Sequence, residues 1–144
     1  MTADYGLPAL RAISDFLPTF SAADFRFAHN DSPLRQTGEK SFEIVGYRYD
    51  PQVHAFWRAA EQHGWLYTFD WGTWGRTPEA SQLRFDTAVL AQASALQLSR
   101  LLSMFARMER FGDGAWLSLW DSGLLLRILT RAHALANELE GAST

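Results

Sequence analysis

Two apolar stripes at helical spacing constrain this chain more than any other feature. From Ala95 to Phe111 the residues Leu98, Leu101, Leu102, Phe105 and Met108 fall on one face, and from Leu124 to Leu139 so do Leu125, Ile128, Leu129, Ala132, Leu135 and Leu139. Ser94 is placed to cap the first helix and Gly112-Asp113-Gly114 to end it. Between the two stripes, Ala115 to about Trp120 reads as a shorter helix carrying Trp116, Leu117, Leu119 and Trp120. With Leu124-Leu125-Leu126 just beyond, that stretch is apolar on nearly all sides. Either it is buried centrally, or Trp116 and Trp120 belong to an interface with a second copy of the chain, where tryptophan is enriched.

Upstream, the pattern is more mixed. Pro8–Phe20 reads as a helix, with Leu10, Ile13, Leu17 and Phe20 near helical spacing and Pro18 stopping it near Phe16 or Leu17. Ala22–Phe27 is ambiguous, and 28–41 is the longest loop candidate, rich in turn chemistry at Asn30-Asp31-Ser32-Pro33 and Thr37-Gly38-Glu39-Lys40. Phe42–Tyr49 has strand character, broken at Gly46. Asp50 as N-cap, Pro51 at the first position and Gly64 as a left-handed stop frame a helix with Val53, Phe56, Trp57 and Ala60 on one face. Alternating Trp65, Tyr67, Phe69 and Trp71 suggest a second strand, so that 42–71 forms a strand–helix–strand unit. Gly72, Gly75 and Pro78 read as a loop, and Asp86 as the cap of a short helix through Ala93. The fold class expected is mainly α: one domain over 1–144, a helical bundle of about five to six helices with a small two-stranded β element near residues 42–71.

Composition narrows the function classes. A chain of 144 residues with 47% hydrophobic and 20% charged residues is of globular type and large enough to fold without a staple. The absence of cysteine excludes disulfides, thiolate zinc sites and a cysteine nucleophile, and favours the cytoplasm. Met1–Leu10 has no signal-peptide pattern and no apolar run suits a membrane span. A net charge of −3 argues against nucleic acid as a partner. His29, His54, His63 and His133 are scattered, with no HExxH and no close pair, so no metal is expected. Nor does a GxSxG, Walker or GxGxxG motif appear, so no cofactor is expected and no catalytic signature is present.

Two constellations remain. The run Trp65-x-Tyr67-x-Phe69-Asp70-Trp71-x-x-Trp74 holds more rings than one strand face buries. These rings either fill the space between the β element and the helices, or Trp65, Trp71 and Trp74 line a cleft with Asp70 as polar anchor. Arg107 and Arg110, three residues apart near a helix end, reach toward one spot, with Arg100 two turns earlier on nearly the same face. They would bind an anion or, as ordinary helix-end cations, pair with Glu109, Asp113 or Asp121. Asp70 or Glu109 as general base is the enzymatic alternative, and docking through a Trp116–Trp120 surface the structural one. A small anionic ligand or peptide, held between the aromatic segment and Arg107/Arg110 in a homodimer, is the expectation that combines most of these features.

The order of landmarks resembles a known family. Tyr47-x-Tyr49-x-Pro51, Gly64-Trp65-x-x-x-Phe69-Asp70-Trp71-x-x-Trp74, Arg107-x-x-Arg110-Phe111-x-x-Gly114 and Ser122-Gly123-x-x-x-Arg127-Ile128-Leu129 look like those of the bacterial family of unknown function DUF6508. The resemblance runs from about Tyr47 onward, and Ala22–Lys40 does not fit the pattern. It implies a bacterial, cytoplasmic, stand-alone domain. Its motifs are aromatic and glycine landmarks, so it assigns no reaction.

Overall fold

The computed structural model describes residues 5–29, 34–36, 42–44, 48–111 and 114–142. Within them the chain is mainly helical, with nine helices in the order α1 (Leu7–Ser14), α2 (Leu17–Ser21), α3 (Pro51–Gln62), α4 (Trp71–Trp74), α5 (Pro78–Phe85), α6 (Thr87–Leu90), α7 (Ala95–Phe111), α8 (Ala115–Asp121) and α9 (Leu124–Ala142). Four short strands, β1 (Ala28–His29), β2 (Leu34–Gln36), β3 (Phe42–Ile44) and β4 (Arg48–Tyr49), lie between α2 and α3. Expectations for Gly46, for the turns at 30–33 and 37–40, and for the end of α7 at 112–113 fall outside the described residues.

α7 and α9 form where their apolar stripes predict, and both stripes are buried except at their ends, where Met108 and Leu135 are half-buried and Leu139 is exposed. Leu98, Leu101, Leu102 and Phe105 from α7 meet Leu125, Ile128, Leu129 and Ala132 from α9, all with at most 2% exposure. Ser94 opens α7 in a reciprocal arrangement: its hydroxyl accepts from Gln97 N at 3.2 Å, and the Gln97 side-chain oxygen accepts from Ser94 N at 2.9 Å. α1 packs along α9, where Arg11 donates to Asn137 at 3.0 Å and pairs with Glu140. Asp50 caps α3 by accepting from Gln52 N at 2.9 Å, and Gly64 takes a φ of +79°, a left-handed conformation that glycine adopts without penalty. The face of α3 carrying Val53, Phe56, Trp57 and Ala60 is buried.

Several expected elements are built otherwise. The N-terminal helix divides at Asp15-Phe16, and Pro18 stands in the first turn of α2. A proline there sacrifices no intrahelical hydrogen bond, so it begins a helix that the sequence suggested it would end. The segment 28–41 is not all loop: β1 pairs antiparallel with β4 and β2 antiparallel with β3. Residues 42–44 and 48–49 therefore find their partners upstream, and the strand–helix–strand unit across 42–71 does not form. Of Gly72, Gly75 and Pro78, read as a loop, Gly72 lies within α4 and Pro78 opens helix α5, capped by the Thr77 hydroxyl accepting from Ala80 N at 3.2 Å. Asp86 caps α6, which ends at Leu90 instead of running to Ala93.

Residues 65–70 are not a strand, because α7 supplies the partners that a neighbouring strand would have offered. The Trp65 carbonyl accepts from the Ser99 and Ser103 hydroxyls at 2.7 and 3.1 Å, and Tyr67 N donates to Ser103 Oγ at 3.0 Å. Both serines are buried within the apolar stripe of α7. The alternating aromatic segment is thus stitched to a helix. No helix among the described residues is long and apolar enough to cross a membrane.

Candidate functional site

The residues singled out in the sequence separate into three groups. Trp65 is fully buried: its ring stacks on Tyr5 with centroids 4.1 Å apart, and its indole N–H donates to the Ala9 carbonyl at 2.8 Å. It fills the core and offers no face to a ligand. Asp70 is exposed and caps α4, its carboxylate accepting from Thr73 Oγ1 at 2.7 Å and Thr73 N at 3.2 Å. The Thr73 hydroxyl, then the Thr73 N–H, hold the Asp70 carboxyl below its ordinary range. Trp71 is half-buried against the core, and the Trp74 indole N–H donates to Glu79. None of these four lines the cavities that hold Arg107 and Arg110; of the aromatic run, Tyr67 does.

Arg100 is structural. Its guanidinium pairs with Glu79 at 3.2 Å and donates to the Tyr67 hydroxyl at 3.3 Å, so it is not the third member of an anion site.

Arg107 and Arg110 do share a cavity, formed against a wall the sequence reading did not pick out. A cleft of about 590 Å³ runs between α3 and the last turns of α7, with His54, Trp57, Arg58 and Glu61 on one side and Glu109 and Arg110 on the other. Leu66 and Ala106 line it as well, and Trp116 of α8 closes one end. A second cavity of about 150 Å³ shares Glu61, Leu66, Ala106 and Arg110 with it and adds Tyr67, Thr68 and Arg107. The two adjoin as one groove. His54, Trp57, Arg58 and Glu61 are spaced i, i+3, i+4, i+7, one stripe of α3 beside its buried face. That spacing was the available signal: the polar flank of an amphipathic helix, next to a core tryptophan.

At the closed end, Trp57 and Trp116 stack with centroids 5.0 Å apart and planes inclined by 11°. The His54 ring stands edge-on to Trp116 at 6.0 Å. Glu109 holds this end together by accepting from Trp116 N at 2.9 Å and from the Tyr49 hydroxyl at 3.2 Å. It therefore anchors the first turn of α8 onto α7 and β4. Trp120 stacks on Phe27 at 4.9 Å and packs edge-on against Phe20 and Phe25, so both tryptophans proposed for an interface are engaged within their own chain.

The polar inventory of the cleft is lopsided. Three buried side-chain polar atoms lack a hydrogen-bond partner among the described residues, and two of them are the indole nitrogens of Trp57 and Trp116. Among the same residues, the side chains of Arg58, Arg110 and Glu61 make no hydrogen bond or ion pair, and Arg107 donates to Thr68 Oγ1 at 3.1 Å. By contrast, the arginines of a 300 Å³ cavity between α6 and α9 are occupied: Arg127 on the Ser122 and Gly123 carbonyls, Arg131 on the Ala93 carbonyl. No group of three His, Asp or Glu residues among those described is placed to hold a metal ion.

Fold and cleft together give, among the described residues, a mainly helical chain with a groove between α3 and α7 that is lined by unpaired guanidinium groups. The chain belongs to the family of unknown function DUF6508, whose model matches residues 7–138 and so extends the resemblance well upstream of Tyr47. No curated protein and no solved structure matches it.

Proposed function

We propose that this chain is a small-molecule-binding domain that holds an anionic ligand in the α3–α7 cleft, with Arg58 and Arg110 as the charged contacts and Arg107 at the far end. The observation that carries the proposal is that two guanidinium groups, those of Arg58 and Arg110, line one cleft without a partner among the described residues, with Glu61 the unpaired carboxylate beside them. Guanidinium matches carboxylate and phosphate oxygens in a two-point fashion. A volume of about 590 Å³ lies within the usual range for sites that take small molecules. The indole nitrogens are covered, so the exposed guanidinium groups meet an incoming ligand first.

The site needs no second copy of the chain, since its lining comes from one. Catalysis by Asp70 or Glu109 receives less support, because both carboxylates serve as caps. A bacterial cytoplasm is the setting this reading assumes, in keeping with a chain that has no cysteine.

An NMR titration with sodium propionate against sodium chloride at equal ionic strength tests the proposal. The side-chain N–H resonances of Arg58 and Arg110 are expected to move with propionate alone and to a common saturation curve. The Arg58→Gln/Arg110→Gln protein is expected to fold normally, because both positions are exposed, and to leave the remaining indole resonances unmoved. Equal responses to the two salts, or an undiminished response in the double variant, would overturn it.

A further inference from the structure

The cleft also specifies what the anion is attached to. We infer that its ligand is an aromatic carboxylic acid, with the ring against Trp116 and His54 and the carboxylate between Arg58 and Arg110. This rests on the anion-binding reading above and adds the body of the ligand to it.

Charge decides where the carboxylate lies. Glu109 stands at the Trp116 end, where its oxygens hold Trp116 N and the Tyr49 hydroxyl. Glu61, one turn beyond Arg58 on α3, lines the larger cavity and the smaller one that adjoins it. An anionic head is repelled by either acid and attracted by Arg58 of α3 and Arg110 of α7, which line the same cavity. Arg110 lines both cavities, so the residue stands where they meet.

The ring end follows from what remains. Beyond Arg58, toward the N-terminus of α3, the cleft is walled by His54 and by Trp116 with Trp57 stacked behind it. A planar apolar group continues such an aromatic array by offset or edge-on packing, whereas a bare phosphate or acetate leaves it in contact with water. His54 and Arg58 are one helical turn apart, so ring and charge must be separated by about 6 Å along α3. A ring joined to a carboxylate through a two-carbon tether covers that interval. Leu66 and Ala106 give the tether an apolar floor.

The test is a calorimetric and NMR comparison of three probes on the intact protein: 3-phenylpropionate, propionate and 3-phenylpropanol. The inference expects 3-phenylpropionate to bind at least about tenfold more tightly than either of the others, since each lacks one of the two anchors. It expects the indole N–H resonances of Trp57 and Trp116 to move more than those of Trp65 and Trp120. Arg110→Gln should weaken 3-phenylpropionate and leave 3-phenylpropanol unaffected. Propionate binding as tightly as 3-phenylpropionate would overturn the aromatic ligand and leave the anion site standing. If 3-phenylpropanol binds as tightly as the acid, or none of the three binds, the anion site falls as well.

Discussion

Glu79 shows how a single partly exposed carboxylate organises its surroundings. It accepts from the Trp74 indole, from Gln97 Nε2 at 3.3 Å and from Arg100 at 3.2 Å, tying α4 and α5 to α7. The Trp74 N–H is the largest influence on its carboxyl and lowers its pKa; partial burial opposes this, and Gln97 and Arg100 add to the lowering. A carboxyl whose pKa is depressed by folding stabilises the native state above its unfolded value and loses that contribution as pH falls through the folded one. Glu79→Gln is therefore expected to cost about 1 kcal/mol near pH 7, a modest figure because the side chain is 40% exposed and screened by water. The difference from the unsubstituted protein should shrink as pH falls from 7 to about 3, as Glu79 takes up a proton first in the unfolded and then in the folded chain. Urea unfolding at the two pH values measures this, and a cost that does not change with pH would show that the charge is irrelevant.

At the scale of elements, the sequence was most legible where a cap and a stripe agreed. Asp50 with Val53, Phe56, Trp57 and Ala60 located α3, and Ser94 with the leucines of α7 located the longest internal helix, because both signals depend only on residues close in the chain. The segment 65–70 was misread because its partners lie more than 30 residues away: alternation is the same whether the backbone bonds to a strand or to Ser99 and Ser103. For the same reason the cleft was half legible. Arg107 and Arg110 were found, but Trp57, Arg58 and Glu61 face them only because α3 packs where it does. The stitching predicts that Ser103→Ala, which leaves Tyr67 N without its acceptor, destabilises the fold by about 1–3 kcal/mol. Its amide should also exchange with solvent faster. Unchanged exchange at Tyr67 would mean that the segment is held by its rings alone.

Across the whole molecule, one apolar cluster includes buried side chains from α1, α2, α3, α5, α6, α7, α8 and α9. A chain with one such cluster is expected to unfold as a unit, so tryptophan fluorescence and helical circular dichroism should give coincident transitions. Leu129→Ala, at 0% exposure in the second turn of α9, should lower stability by about 2–5 kcal/mol in both signals together. Separate midpoints would divide the chain into independent units. The stacked pair Trp57 and Trp116 adds a property of another kind. Two nearly parallel indoles at 5.0 Å share their electronic excitation, and a shared excitation gives a paired band of opposite signs in circular dichroism that isolated tryptophans lack. Because one ring belongs to α3 and the other to α8, the amplitude of that band measures their mutual angle, and the protein carries its own optical gauge of whether the groove is at rest or has been prised open.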